Sequence, residues 1–134
     1  MPGSTQQPTP SAAIDSLRAV AVSDLDLLLE SAAALRAELR GFETALRKVR
    51  RHLARGGPAA DLHKVLDIVT ARETLTSVAG VFQTIRHTSR ISIFRVQAAE
   101  GMSVGAIARD WGLSRQLVSR MLKHREPSDQ SKAR

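Results

Sequence analysis

From residue 25 to residue 53 the chain sets an apolar side chain at every third or fourth position: Leu25, Leu28, Ala32, Leu35, Leu39, Phe42, Leu46, Val49 and Leu53. That spacing gathers them on one stripe of an α-helix and sustains a heptad seam over four repeats. A short helical stretch is expected from near Ser11, with Ile14, Leu17 and Val20 or Ala21 on one side. Ser23, with Asp26 three residues on, reads as the N-cap of the long helix in a variant of the capping box. Gly56-Gly57-Pro58 stops the helix. A helix of this span is roughly 48 Å long at about 1.5 Å per residue. It cannot cover its own stripe and requires a partner.

Residues 58–86 offer one. Pro58 suits a first helical turn, and Ile68, Ala71, Leu75, Val78, Phe82 and Ile85 make a second stripe of the same spacing. Thr70, Thr74, Thr76, Ser77 and Gly80 lower helix propensity, so a break is expected within residues 73–80. The pair reads as an αα-hairpin closed by the Gly-Gly-Pro turn and buried in a bundle. In a parallel two-stranded coil Glu38 would face Glu43 of the mate, and Leu29 widens the apolar face. Both favour a bundle or an antiparallel arrangement over a simple zipper.

With 134 residues the chain is about one domain's worth of sequence. Cysteine is absent, which excludes disulfides and thiolate metal sites. Aromatic residues are 3% of the chain, too few for the base-stacking surfaces of RNA- and single-strand-binding sheets. There is no run of 18 or more apolar residues to span a membrane. The first 17 residues hold neither Lys nor Arg, so no secretory leader is expected. A soluble cytoplasmic, nucleoid-associated protein is the expectation.

The net charge is +7, and it is unevenly placed. Residues 36–55 carry +5 and residues 86–134 carry +6, whereas residues 1–35 carry −3 and residues 56–85 carry −1. A small, strongly basic chain points to nucleic acid as its partner. The cluster Arg47, Lys48, Arg50, Arg51 and Arg55 at the end of the long helix fits either the helix dipole or a second DNA contact.

The most informative stretch is residues 101–123, GMSVGAIARDWGLSRQLVSRMLK. Ser103 caps a short helix that turns Ile107, Ala108 and Trp111 inward. Gly112 ends that helix and permits a left-handed turn. Leu113 points back to the core, and Ser114 caps a second helix with Val118, Met121 and Leu122 inward. Arg115, Gln116, Ser119, Arg120 and Lys123 then share the outer face. A third helix is expected before this pair, capped at Thr88-Ser89-Arg90 with Ile91, Phe94 and Ala98 inward, although residues 91–96 also alternate like a strand.

Two short helices joined by a tight glycine turn form a helix-turn-helix. Residues 89–125 resemble the helix-turn-helix DNA-binding family, of the resolvase/invertase or sigma region 4 kind found in small actinobacterial regulators. Counting from Val104, the motif's Ala and Gly fall at Ala108 and Gly112, and its apolar positions at Ile107, Trp111, Leu113, Val118 and Met121. Residues 1–88 resemble no family. The resemblance implies a helix lying in the major groove of double-stranded DNA. Arg115 would pair with guanine and Gln116 with adenine, with Ser119 and Arg120 one turn further on. Ser103, Ser114, Arg109 and Lys123 would meet phosphates.

No enzyme, metal or cofactor is expected. Gly101-Met102-Ser103-Val104-Gly105 fits the G-x-S-x-G pattern, but residues 96–100 read as helix where a nucleophile elbow needs a strand. His63 and Asp67 at a spacing of four could offer two metal ligands from one helix face, with no third in view.

The expectation is thus an all-α chain: a disordered tail at 1–12, a helical oligomerisation region at 13–87, a compact three-helix helix-turn-helix domain at 88–125 and a tail at 126–134. Its function would be sequence-specific double-stranded DNA binding, as a transcriptional regulator that forms a homodimer through residues 23–86, with helix 114–124 in the groove. Two-fold symmetry would set the reading helices about 34 Å apart on a pseudo-palindromic site. The other readings are an architectural or plasmid- or phage-maintenance DNA-binding protein, and an adaptor whose C-terminal corner is inert.

Overall fold

The computed structural model describes residue 3 and residues 9–123 of the chain. It is all-α, with no strand among the described residues. α1 spans Pro10–Ala54, a 3-10 turn Ala59–Asp61 leads into the one-turn α2 at Leu62–Val65, and α3 spans Ile68–Ala99. α4 follows at Val104–Trp111 and α5 at Arg115–Leu122. No described helix is long and apolar enough to cross a membrane. The chain divides into two compact units, one of Leu25–His87 and the other of the residues on either side of it. α1 and α3 each contribute to both.

α1 joins into one helix the short stretch expected from near Ser11 and the long helix expected from Ser23. Its cap is Thr9, whose Oγ1 accepts from Ala12 N–H at 3.2 Å and whose carbonyl accepts from Ala13 N–H at 2.9 Å. Pro10 then occupies the first turn, where its missing N–H costs nothing. Residues 10–12, expected in the tail, are therefore helical, and Ser23-Asp26 is no cap but lies within an unbroken helix. Ile14 and Leu17 are half-buried and Ala21 is buried, so the apolar stripe continues upstream of Ser23 and outweighs the local capping signal. The rest of the expected N-terminal tail, apart from residues 3 and 9, lies outside the described residues, as does the C-terminal tail.

The end of α1 falls at the Gly-Gly-Pro stop. Gly56 takes φ +79°, Gly57 N–H reaches back to His52 carbonyl at 2.9 Å and Gly56 N–H to Leu53 carbonyl at 3.0 Å. These paired bonds satisfy two carbonyls that the helix end would otherwise orphan. His52 Nε2 donates to Pro58 carbonyl at 2.8 Å and ties the helix to the turn.

The expected break within residues 73–80 does not occur; the helix runs through Gly80. The break sits at Leu66-Asp67 instead, where Leu66 is extended (φ −153°, ψ 138°). Asp67 opens α3: Oδ1 accepts from Thr70 N–H at 3.1 Å, and Oδ2 from Thr70 Oγ1 at 2.8 Å. These bonds favour the charged carboxylate and hold its pKa below the ordinary 3.8. His63 and Asp67 therefore do not share a helix face, and His63 Nδ1 donates to Ala60 carbonyl at 2.9 Å. The expected cap at Thr88-Ser89-Arg90 is also absent, because α3 passes through it unbroken, and residues 91–96 are helix and not strand.

Ser89 and Ser92 are buried for a tertiary reason. Ser89 Oγ donates to the Asp24 carbonyl at 3.1 Å, and Ser92 Oγ donates to the Asp24 carboxylate. Arg18 and Glu100 form an ion pair further along the same two helices. The numbering falls on α1 as it rises on α3, so the segments are antiparallel here.

This unit also holds the core. Ile91 and Phe94 of α3, Ile107 and Ala108 of α4, and Val118 and Met121 of α5 are buried together. Met102, Val104, Leu113, Leu117 and Leu122 close around them. Phe94, Ile107 and Val118 are 0% exposed. In the Leu25–His87 unit, by contrast, only Ser31 and Ala45 are buried.

Two outcomes follow. Phe94→Ala should cost about 3–5 kcal/mol in denaturant unfolding, since it empties the centre of the three-helix core. Asp67→Ala should destabilise near neutral pH, and its difference from the parent should shrink as pH falls. Asp67 has a lowered folded-state pKa, so its contribution is complete above the unfolded value and is lost as pH drops through the folded one. Urea titrations of both proteins across the acid range read this directly.

Candidate nucleic-acid interface

α4 and α5 are built almost identically at their starts. Ser103 is extended (φ −71°, ψ 157°) and its Oγ accepts from Ala106 N–H at 3.1 Å. Ser114 is extended (φ −76°, ψ 151°) and its Oγ accepts from Leu117 N–H at 3.1 Å. Each side chain replaces one missing helical hydrogen bond. The G-x-S-x-G match at Gly101–Gly105 is thereby a helix end, a turn and a cap.

Between the helices Gly112 takes φ +65°, ψ 33°, a conformation that a side chain would strain. Leu113 N–H bonds Ala108 carbonyl at 2.9 Å, which turns the chain sharply and sends Leu113 against the core. Trp111 is not fully inward as expected. It is 37% exposed, and its ring meets Phe94 edge-on at 5.3 Å and 78°. Its Nε1–H donates to Gln97 Oε1 at 3.1 Å, while Gln97 Nε2 donates to Asp110 Oδ2 at 2.9 Å. One α3 side chain thus holds two neighbouring residues of α4. Nothing local in the sequence marks Gln97, because its partners are 13 and 14 positions away.

The expected site residues fall as follows. Arg115, Gln116, Arg120 and Lys123 are exposed, and Ser119 is half-buried. Arg115 through Arg120 lie on α5 and Lys123 caps its C-terminus. The spacing of 115, 116, 119, 120 and 123 puts them on one face, opposite Val118 and Met121. Leu117 packs against the core. Ser103 and Ser114 are exposed caps, and Arg109 is exposed in the last turn of α4. Arg109, Arg115, Arg120 and Lys123 have no ion-pair partner among the described residues. Residue 124, expected as the end of the reading helix, lies outside the described residues.

Gly105 stood out in the sequence only as the last glycine of G-x-S-x-G, yet it is buried in α4 beside Arg115. A Cβ built there would lie 3.2 Å from Arg115 Nε, so the guanidinium rests across the start of α4. This contact brings the neighbourhood of Ser103 and the start of α5 together. Arg109 stands one turn further along α4.

Set against known protein families, curated proteins and solved structures, the chain matches none. The chemistry must be read from the side chains. The described residues gather no group of three His, Asp or Glu that could hold a metal ion. What the surface presents is an eight-residue helix, fixed from behind, with cations and an amide in front.

Ser114→Ala should cost about 1 kcal/mol by removing the cap of α5, whereas Ser114→Asp should preserve most of the stability. Thermal unfolding monitored by Trp111 fluorescence, the chain's single tryptophan, measures both.

Proposed function

We propose that this chain binds double-stranded DNA sequence-specifically and acts as a dimeric transcriptional regulator, with α5 in the major groove. The observation that carries the reading is the outward row of Arg115, Gln116, Arg120 and Lys123 on a helix whose other face is buried. The two arginines and the glutamine are the side chains suited to bidentate bonds with base edges, and a helix of this diameter fits the groove. The resemblance of residues 89–125 to helix-turn-helix domains supports the same assignment, as does the charge of +6 over residues 86–134.

Ser103 and Ser114 keep their hydroxyl protons free of the cap bonds, in which Oγ only accepts. Both suit donation to a phosphate. Arg109 and Lys123 supply charge for the backbone. One short helix reads few base pairs, and two copies on a two-fold site multiply that affinity. We assign the dimer contact to the long helices.

Selection of binding sequences from a random duplex pool, followed by gel shifts at two salt concentrations, tests this. Arg115→Ala should weaken the selected site by about 1–3 kcal/mol and leave random duplex nearly unchanged. Lys123→Ala should weaken both alike and reduce the salt slope by about one. Equal loss on both duplexes for Arg115→Ala would reject base reading by this residue, and a pool without a motif would reject the regulator in favour of an architectural protein.

A further inference from the structure

The Leu25–His87 unit uses only part of its apolar surface. Along α1, Leu28, Ser31, Leu35, Glu38, Phe42 and Ala45 recur at alternating spacings of three and four and are all buried or half-buried. One step round the helix, Leu25, Ala32, Leu39, Leu46 and Leu53 recur every seven residues. Ala32 is half-buried, and the four leucines are 37%, 43%, 50% and 47% exposed, in chain order. On this side a groove is lined by Ala32, Leu35, Leu39 and Phe82 together with Arg36, Arg40 and Glu43. α3 offers no comparable row, since Arg72, Glu73, Thr76, Gln83 and Arg86 are exposed there. A unit whose only buried residues are one serine and one alanine has no interior of its own, and a leucine every seven residues is the pattern that a second helix covers.

We infer that this row is the face of an antiparallel homodimer, with α1 of one copy laid against α1 of a second copy about a two-fold axis at Leu39. The inference rests on the dimer of the proposed function and names its surface and direction. The apolar row suits either direction, and the charges beside it select antiparallel pairing. A two-fold axis at Leu39 brings Leu25 opposite Leu53 of the second copy, Ala32 opposite Leu46, and Leu39 opposite itself, so every apolar side chain of the row finds an apolar partner. The residues beside the row on the outer flank include Arg36, Glu43 and Arg50. The antiparallel register places Arg36 within one residue, about 1.5 Å of rise, of Glu43 in the second copy, and does so twice. Parallel pairing would instead set Glu43 opposite Glu38 of the second copy, a like-charge pair.

The chain has no cysteine, so single introduced thiols report pairing cleanly. Full-length Leu25→Cys and Leu53→Cys proteins, refolded together without DNA and oxidised, should yield the mixed disulfide in large excess over either self-linked product. Light scattering on the parent should give twice the chain mass. Glu43→Arg should halve it with helicity by circular dichroism unchanged, and adding Arg36→Glu should restore the dimer. Self-linked products at 25 and 53 in place of the mixed one would overturn the antiparallel register while leaving a dimer. A dimer indifferent to Glu43→Arg and to Leu39→Glu would overturn this face. A parent that stays monomeric at micromolar concentration would overturn both this inference and the dimer of the proposed function, and would leave DNA binding by α5 to be judged on its own.

Discussion

Burial of Phe94 between α4 and α5 is the contact on which the working surface depends. α5 has eight residues, too few to hold a helix in water by itself. Its shape is imposed by Val118 and Met121, buried beside Phe94 and Ile107. Each such side chain contributes about 1.5–3 kcal/mol by leaving water, against about 1 kcal/mol for the Ser114 cap. The core therefore decides that α5 exists, and the caps and Gly112 decide where it starts and how it turns. Gln97 adds direction: its two bonds, to Asp110 and to the Trp111 indole, fix the end of α4 beside the edge-on contact of Trp111 with Phe94.

The Leu25–His87 unit is organised on the opposite principle. Its only buried side chains are Ser31 and Ala45, Leu28, Leu35 and Phe42 are half-buried, and most leucines of α1 remain accessible. A hairpin of two helices has little interior, because each helix covers only one sector of the other. Much apolar surface therefore stays accessible, including the row on α1 to which the second copy is assigned above. One unit thus has a closed core and an outward polar face, and the other has an open apolar face.

How much of this could be read from the sequence varied with the range of the interaction. The caps at Ser103 and Ser114 and the turn at Gly112 are satisfied within three to five residues, so local pattern sufficed for them. The stop at Gly56-Gly57 was legible for the same reason. The stretch from near Ser11 was legible, but a separate start was read at Ser23-Asp26, a local capping pattern that the stripe through Ile14, Leu17 and Ala21 overrides. The Leu66-Asp67 break was misplaced because Asp67 was weighed as a ligand beside His63 and not as the cap it forms with Thr70. Ser89 looked like a cap for want of its true partner, the Asp24 carbonyl 65 residues away. Gln97 was silent for the same reason. The heptad seam was seen whole, but only packing could divide it into the half that faces α3 and the half that stays exposed.

Gly105 shows how a local cost can serve the surface. Glycine inside a helix loses about 1 kcal/mol relative to alanine, and α4 has only eight residues over which to offset it. The atoms nearest a Cβ at this position all belong to the Arg115 guanidinium, the closest at 3.2 Å. Alanine here would press on that side chain, which would have to shift by a few tenths of an ångström. An arginine free in solvent carries about 2 kcal/mol of rotamer entropy, part of which is lost on binding. Seating it against the bare backbone of Gly105 would take some of that loss before the proposed DNA contact forms. The glycine is thus better explained by the arginine one helix away than by anything in α4 itself, and it ties the conformation of the first residue of α5 to the packing of the helix behind it.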